Sequence, residues 1–136
     1  MSKTGLVADL AADDRYSKTI GIKLVNVSLG RVVVRCKIED RHLNFNGGCH
    51  GGVIFSLADS AFGLASNAAG TMASGISASI IFNSAARVDD ILTATAEEIS
   101  KSRKLATYRV DVVNQRDLLI ASFTGMVYLM GSGKSS

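Results

Sequence analysis

From Arg31 to Ile38 the side chains alternate along the chain, with Val32, Val34, Cys36 and Ile38 set against Arg31, Val33, Arg35 and Lys37. A repeat of two marks a strand with one covered face. The preceding IGIKLVNV has the same β-branched character, and Ser28-Leu29-Gly30 separates the two runs, which predicts a hairpin. Upstream, Leu6, Val7, Leu10 and Ala11 fall at helical spacing, so a short amphipathic N-terminal helix is expected over about 4–18. From Gly51 to about Ala69 the chain holds helix formers and small side chains without proline, and the stretch is too long for an ordinary strand. It is predicted to be one central helix. Four more segments, ASGISASIIFNS, ILTATAEEIS, LATYRVDVVN and LLIASFTGMVYLM, are β-branched or aromatic-rich and separated by polar turns such as Val88-Asp89-Asp90 and Asn114-Gln115-Arg116-Asp117. Six strands with one long helix between the second and third define an α+β domain whose antiparallel sheet must cover that helix. The closing GSGKSS, residues 131–136, is expected to be a flexible tail.

Composition bears on class more than on fold. The 136 residues are 47% hydrophobic and 20% charged with no shift along the chain, which fits a single domain over 1–136 with an ample core. No apolar run approaches the roughly 20 residues of a membrane span. The N-terminal MSKTGLVADLAADDRYSK is charged throughout, unlike the apolar centre of a signal peptide, so a cytoplasmic protein without a membrane partner is expected. A net charge of +3 is too mild for a nucleic-acid partner, and no basic stripe interleaves with aromatics, although a phosphate-bearing small ligand is compatible with it. Two cysteines, Cys36 in a predicted strand and Cys49 in a predicted loop, make no disulfide framework and are expected to be reduced.

The candidate chemistry lies in HLNFNGGCHGGVIFSLADSAFG, residues 42–63. Gly47, Gly48, Gly51 and Gly52 allow positive φ and close backbone approach, and a helix starting near Gly51 aims unpaired N–H groups and its positive dipole end at that bend. The same glycines also suit a plain turn before a helix. A phosphate cradle is disfavoured, because GGCHGG lacks the GK[ST] ending of a P-loop. Asp59 is a carboxylate in an apolar helix, near the edge of a stripe formed by Leu57, Ala58, Ala61, Phe62 and Ala65; it is either a solvated outer residue or an acid with a task. Eight residues separate it from Gly51, about 12 Å along one helix. An oxyanion donor and a base must both come within roughly 3 Å of the reacting group, so one chain cannot unite them, whereas a two-fold partner can. His50 either caps the helix or donates to a substrate carbonyl, and Asn44 is either a turn residue or an orienter of water. Neighbouring Cys49 and His50 do not suggest a thiol dyad, which is assembled from positions distant in sequence. His42, Cys49 and His50 have no metal-site spacing, and no metal is predicted.

LNFNGGCHGGVIFSLADSAFG, with DDILTATAEE and YRVDVVNQ after it, resembles the phenylacetate-pathway type of acyl-CoA thioesterase, whose motif runs LN, a few residues, HGG, an apolar stretch and LAD. The resemblance extends over residues 8–130. It implies a hotdog fold, a curved antiparallel sheet wrapped around the central helix, with dimers often pairing into tetramers. It also implies an acyl-CoA substrate and no cofactor beyond the CoA that the substrate carries. By the same resemblance Asp59 is base or nucleophile, Gly51 N–H the oxyanion donor, His50 the group that polarises the thioester carbonyl, and Asn44 the one that positions water or the acid, in a site shared across a homodimer. Apolar neighbours should raise the pKa of Asp59, and an opposing helix start should lower it. Some relatives place a hydroxyl of the third strand beside the water; Ser74, Ser77 and Ser79 compete for that role, and Ser77 is chosen, with an ordinary strand serine as the alternative reading. Lys101, Arg103 and Lys104 either meet the CoA phosphates or form a solvated turn. The acyl pocket is expected near Phe62 and Phe82. An aryl-acetyl group is expected in it, though nothing in the residues separates that from a medium-length fatty chain. Many relatives have proline after the third strand, where this chain reads Phe82-Asn83-Ser84-Ala85-Ala86-Arg87, so that loop is expected to be more mobile. The other class of reading is a hotdog acyl-CoA binding or sensing protein without turnover; Asn44, His50, Gly51 and Asp59 together favour the enzyme, because binding alone needs no acid.

Overall fold

The structure, a computed structural model, describes residues 3–28 and 30–132. The N-terminal helix is two helices, α1 (Lys3–Asp13) and α2 (Arg15–Ile20). Asp14 breaks them: it is extended, and its side chain accepts from Ser17 N–H as the N-cap of α2. An aspartate offers the backbone this alternative to continued helix. The hairpin follows as β1 (Lys23–Ser28) and β2 (Arg31–Lys37), and Leu29 of its turn lies outside the described residues. Val33, expected among the polar positions, is buried as well, opposite Asn26 on β1.

The central helix α3 (Gly51–Ser66) is shorter than expected. Asn67 ends it by donating from its side-chain amide to Gly63 C=O at 2.9 Å, while its amide oxygen accepts from Ala73 N–H at 3.0 Å. One side chain thus stops the helix and ties it to the next strand. The remaining strands are β3 (Thr71–Phe82), β4 (Ile91–Lys101), β5 (Leu105–Val113) and β6 (Leu119–Ser132). Gly131 and Ser132, expected in the tail, extend β6, and 133–136 lie outside the described residues.

All neighbouring strands are antiparallel, in the order β1-β2-β4-β5-β6-β3. Val53, Ile54, Leu57, Ala58, Ala61 and Phe62 form the covered face of α3 against Val34, Leu92, Ala94, Val110, Phe123 and their neighbours. The helix comes so close to β6 that a Cβ on Gly125 would stand 2.7 Å from the ring of Phe62. Phe62 therefore belongs to the core: it is buried between Tyr108 and Phe123, with ring centroids at 5.9 and 5.5 Å, instead of opening onto an acyl pocket as expected. This sheet curved around one helix is the hotdog fold. At one edge β3, twelve residues long, pairs only with β6 and exposes Met72, Ile76, Ile81 and Phe82. The loop after it is well fastened in spite of its missing proline. Asn83 and Ser84 donate to Ile120 C=O, Ala86 C=O accepts from Cys49 N–H, and Asp89 N–H donates to Ile38 C=O. Among the described residues no helix is long and apolar enough to cross a membrane.

Candidate active site

The bend before α3 is shaped by its side chains as much as by its glycines. Of the four glycines, only Gly47 has positive φ (83°). Asn44 closes the bend: its Oδ1 accepts from Asn46 N–H at 2.8 Å and Gly48 N–H at 3.3 Å, and its own N–H donates to Gly48 C=O. Its oxygen is a turn acceptor, which leaves the side-chain NH₂ as the group able to orient water or an acid.

His50 is the N-cap of α3, with Nδ1 accepting from Gly52 N–H at 2.8 Å. In the neutral ring the proton then sits on Nε2, which becomes a fixed outward donor. Of the two alternatives open to His50, the cap is formed through Nδ1, and donation to a carbonyl would have to come from Nε2. Gly52 permits this geometry, since a Cβ there would stand 3.0 Å from His50 Nδ1. Gly51 heads the helix, where an N–H has no intrahelical acceptor. The half-exposed ring of Phe82 lies against it, 3.2 Å from where a Cβ would be. Two other residues of the bend are structural. His42 is buried, with Nδ1 accepting from Glu39 N–H and Nε2 bonded to Ile20 C=O. Cys49 is buried and its thiol is pushed up to about 11, chiefly by burial and then by Cys36 and Asp90, so it is no thiolate nucleophile. Among the described residues no cluster of His, Cys, Asp or Glu is arranged to hold a metal.

Asp59 projects from the outer side of α3 into a groove of about 490 Å³ between that helix and the α1–α2 pair. Leu10, Phe55 and Leu64 give the groove its apolar walls, and Asp14, Tyr16, Ser56, Ser60 and Asn67 its polar ones. Two hydroxyl contacts pin α2 to α3 there, Tyr16 Oη to Ser56 Oγ at 3.0 Å and Ser17 Oγ to Ser60 Oγ at 2.6 Å. Asp59 has no hydrogen-bond or ion-pair partner among the described residues. Burial, and secondarily the nearby Asp14 carboxylate, hold its pKa above the usual carboxylate range. The opposing helix start that should lower it is absent from a single chain.

The chain brings Asn44, His50 and Gly51 together at one end of α3 and leaves Asp59 in its own groove two turns on. Ser77 stands at a bulge in β3, opposite Met126, whereas Ser74 and Ser79 lie in regular ladder positions. A bulge re-aims a side chain, which distinguishes Ser77 from the other two. Lys101, Arg103 and Lys104 are exposed at the β4–β5 turn; Lys101 faces the C-terminal end of α3 near Ala65 and Ala69, and Lys104 lies 6.0 Å from the Tyr128 ring. Within one chain they are not brought to the helix start. Sequence reasoning missed Phe55, Ser56, Ser60, Asp14 and Tyr16. Phe55 stands four residues before Asp59 on the same helical face and was open to detection by spacing. Asp14 and Tyr16 arrive from a distant segment with no sequence signal.

The thioesterase superfamily model matches residues 46–121, more than half of the chain, and the protein belongs to that family. It is 34% identical over 119 residues to the acyl-coenzyme A thioesterase PaaI of Escherichia coli K12, covering 88% of this chain and 85% of that one. The E. coli PaaI structure superposes with a TM-score of 0.91 at 32% identity, over 96% of this chain and 95% of that one. A Streptococcus mutans protein solved with acetyl CoA bound matches with a TM-score of 0.79 at 29% identity, over 83% of this chain and 91% of that one.

Proposed function

We propose that the protein is an acyl-CoA thioesterase that hydrolyses an aryl-acetyl-CoA to the free acid and CoA, in a site built by two subunits. The observation that carries this reading is Asp59: an unpaired carboxylate of raised proton affinity, in a groove with an aromatic wall, that no neighbouring cation explains. A two-fold partner joined along the open edge of β3 would set its own Gly51 and His50 against this groove. Dimers of this kind would pair further into a tetramer. Gly51 N–H and His50 Nε2–H would then hold the thioester oxygen as it gains charge, with the dipole of α3 behind them. Ionised Asp59 takes a proton from the attacking water, or attacks the carbonyl itself to form an anhydride that water opens; either way CoA leaves as the thiol. Asn44 and Ser77 are the residues we assign to positioning that water. Phe55 offers an edge for an aromatic acyl group, and the hydroxyls of Tyr16, Ser56 and Ser60 favour a polar substituent on it. The chemistry requires no cofactor beyond the CoA of the substrate.

Release of free thiol from phenylacetyl-, hydroxyphenylacetyl-, benzoyl- and fatty acyl-CoA tests this, with Asp59→Ala beside the native protein. The expected result is fastest turnover of the aryl-acetyl thioesters and a loss of about 10²–10⁴-fold in the variant with fold and assembly unchanged. Undiminished turnover in Asp59→Ala would remove the catalytic assignment. Tight binding of one thioester without turnover of any would make the protein an acyl-CoA binder.

A further inference from the structure

A second cleft lies away from Asp59, at the β1 edge of the sheet. Its volume is about 650 Å³, and four cationic side chains line it, Lys23, Arg35, Lys37 and Arg41, against one acid, Glu39. The register makes this arrangement costly for the protein alone. Lys23 and Arg35 are direct partners across the β1–β2 ladder, and Lys37 follows Arg35 on the same face. Like charges directly opposite on neighbouring strands repel and destabilise the pair. Lys23 and Arg35 form no ion pair among the described residues, and Lys37 has an exposed contact with Asp89 at 4.0 Å. Arg41 is already held in place, donating to Glu39 at 2.9 Å and to the carbonyl oxygens of Thr19 and Ile20. Between the cations lie two exposed apolar side chains, Val25, which the β1 bulge leaves out of the ladder, and Ile91, the ladder partner of Lys37. An apolar floor inside a cationic rim suits a ligand with a flat apolar body and more than one negative charge, and the cleft falls within the size range of small-molecule sites.

We propose that this cleft binds a phosphorylated nucleoside, its base on Val25 and Ile91 and its phosphates between Lys23, Arg35, Lys37 and Arg41. The ligand has two possible sources. One is the nucleotide end of the CoA substrate, an alternative that rests on the thioesterase reading; the other is a free nucleotide. The cleft reaches toward the candidate active site through the 40–50 bend, where Arg41 precedes His42, whose C=O accepts from His50 N–H at 2.8 Å. It also lies at the edge of the sheet opposite β3, so pairing of subunits through β3 would leave it open.

Calorimetric titration of the whole protein with ADP, CoA, adenosine and inorganic phosphate tests the site. ADP and CoA should bind at least tenfold more tightly than adenosine or phosphate, and more weakly as salt rises. Arg35→Gln and, separately, Lys23→Gln should each weaken that binding at least tenfold while raising the melting temperature of the free protein, because each removes half of a repelling pair. Steady-state hydrolysis distinguishes the sources. If the KM for an acyl-CoA rises in Arg35→Gln while that for the matching acyl-N-acetylcysteamine thioester stays the same, the cleft takes the substrate's own nucleotide. If nucleotide binding is lost while both KM values hold, it takes a free one. Absence of ADP binding, equal binding by both variants, or phosphate binding as tight as ADP would each overturn the proposal. The titration stands even if no thioester is hydrolysed, so failure of the thioesterase reading is separately visible.

Discussion

Asp59 gains its proposed chemistry from its surroundings. Its groove withholds part of the water that would stabilise the anion, and Asp14 adds a second negative charge nearby; both favour the protonated form. A base must be ionised to act, so the acid limb of kcat/KM reads the balance between these two and the partner's helix start, which favours the anion. Asp14 allows the sign to be tested cleanly, because its other task is to cap α2 by accepting from Ser17 N–H at 3.0 Å. Asparagine caps about as well as aspartate but carries no charge. Asp14→Asn should therefore leave α2 in place and ease the ionisation of Asp59, moving the acid limb to lower pH. A pH–rate profile of the variant beside the native enzyme reads this directly; a limb that stays put or moves upward would separate Asp14 from the site.

At the scale of elements, what was legible in the sequence was whatever a local stretch of residues declares. The alternation of β2, the long proline-free run of helix formers in α3 and the β-branched content of the four later strands each marked an element, and the structure has each of them. What escaped was set by single side chains acting across space. Asp14 breaks the N-terminal helix and Asn67 shortens α3 through hydrogen bonds whose partners no local pattern names. Phe62 carries no mark to tell a core ring from a pocket ring. Its role is decided by Gly125, sixty-three positions later, which lets β6 approach it. The candidate site divides in the same way: its helix start and acid were visible in HGG and LAD, while its α1–α2 wall was not. The packing at Gly125 carries a prediction of its own. A methyl group there would meet the Phe62 ring at 2.7–2.8 Å and Phe123 at 3.0 Å, and both rings are buried with nowhere to retreat. Gly125→Ala should thus destabilise the fold by about 1–3 kcal/mol, the usual range for overpacking. Denaturant unfolding measures it, and a variant as stable as the native protein would show that α3 can move away from β6.

For the whole molecule, the proposed mechanism makes the single chain an unfinished catalyst in a specific sense. One helix carries both halves of the proposed machinery, the donors at its first turn and the acid about 12 Å further along, and a rigid α-helix cannot bring its own two halves together. The open edge of β3 with its exposed apolar residues is the surface this proposal uses: two-fold pairing along it would give each site an acid from one subunit and donors from the other. This arrangement makes a prediction that no single-chain site could meet. Asp59→Asn and His50→Ala should each be nearly inactive alone. When the two are unfolded, mixed in equal amounts and refolded together, half of the dimers should be mixed, and each mixed dimer should hold one site with both defects and one with neither. Activity should then recover to about one native site in four. A mixture no more active than its parents, with mixed dimers demonstrated by mass, would mean that Asp59 and His50 serve the same site from the same chain, and the geometry of α3 would have to be abandoned as the reason for assembly.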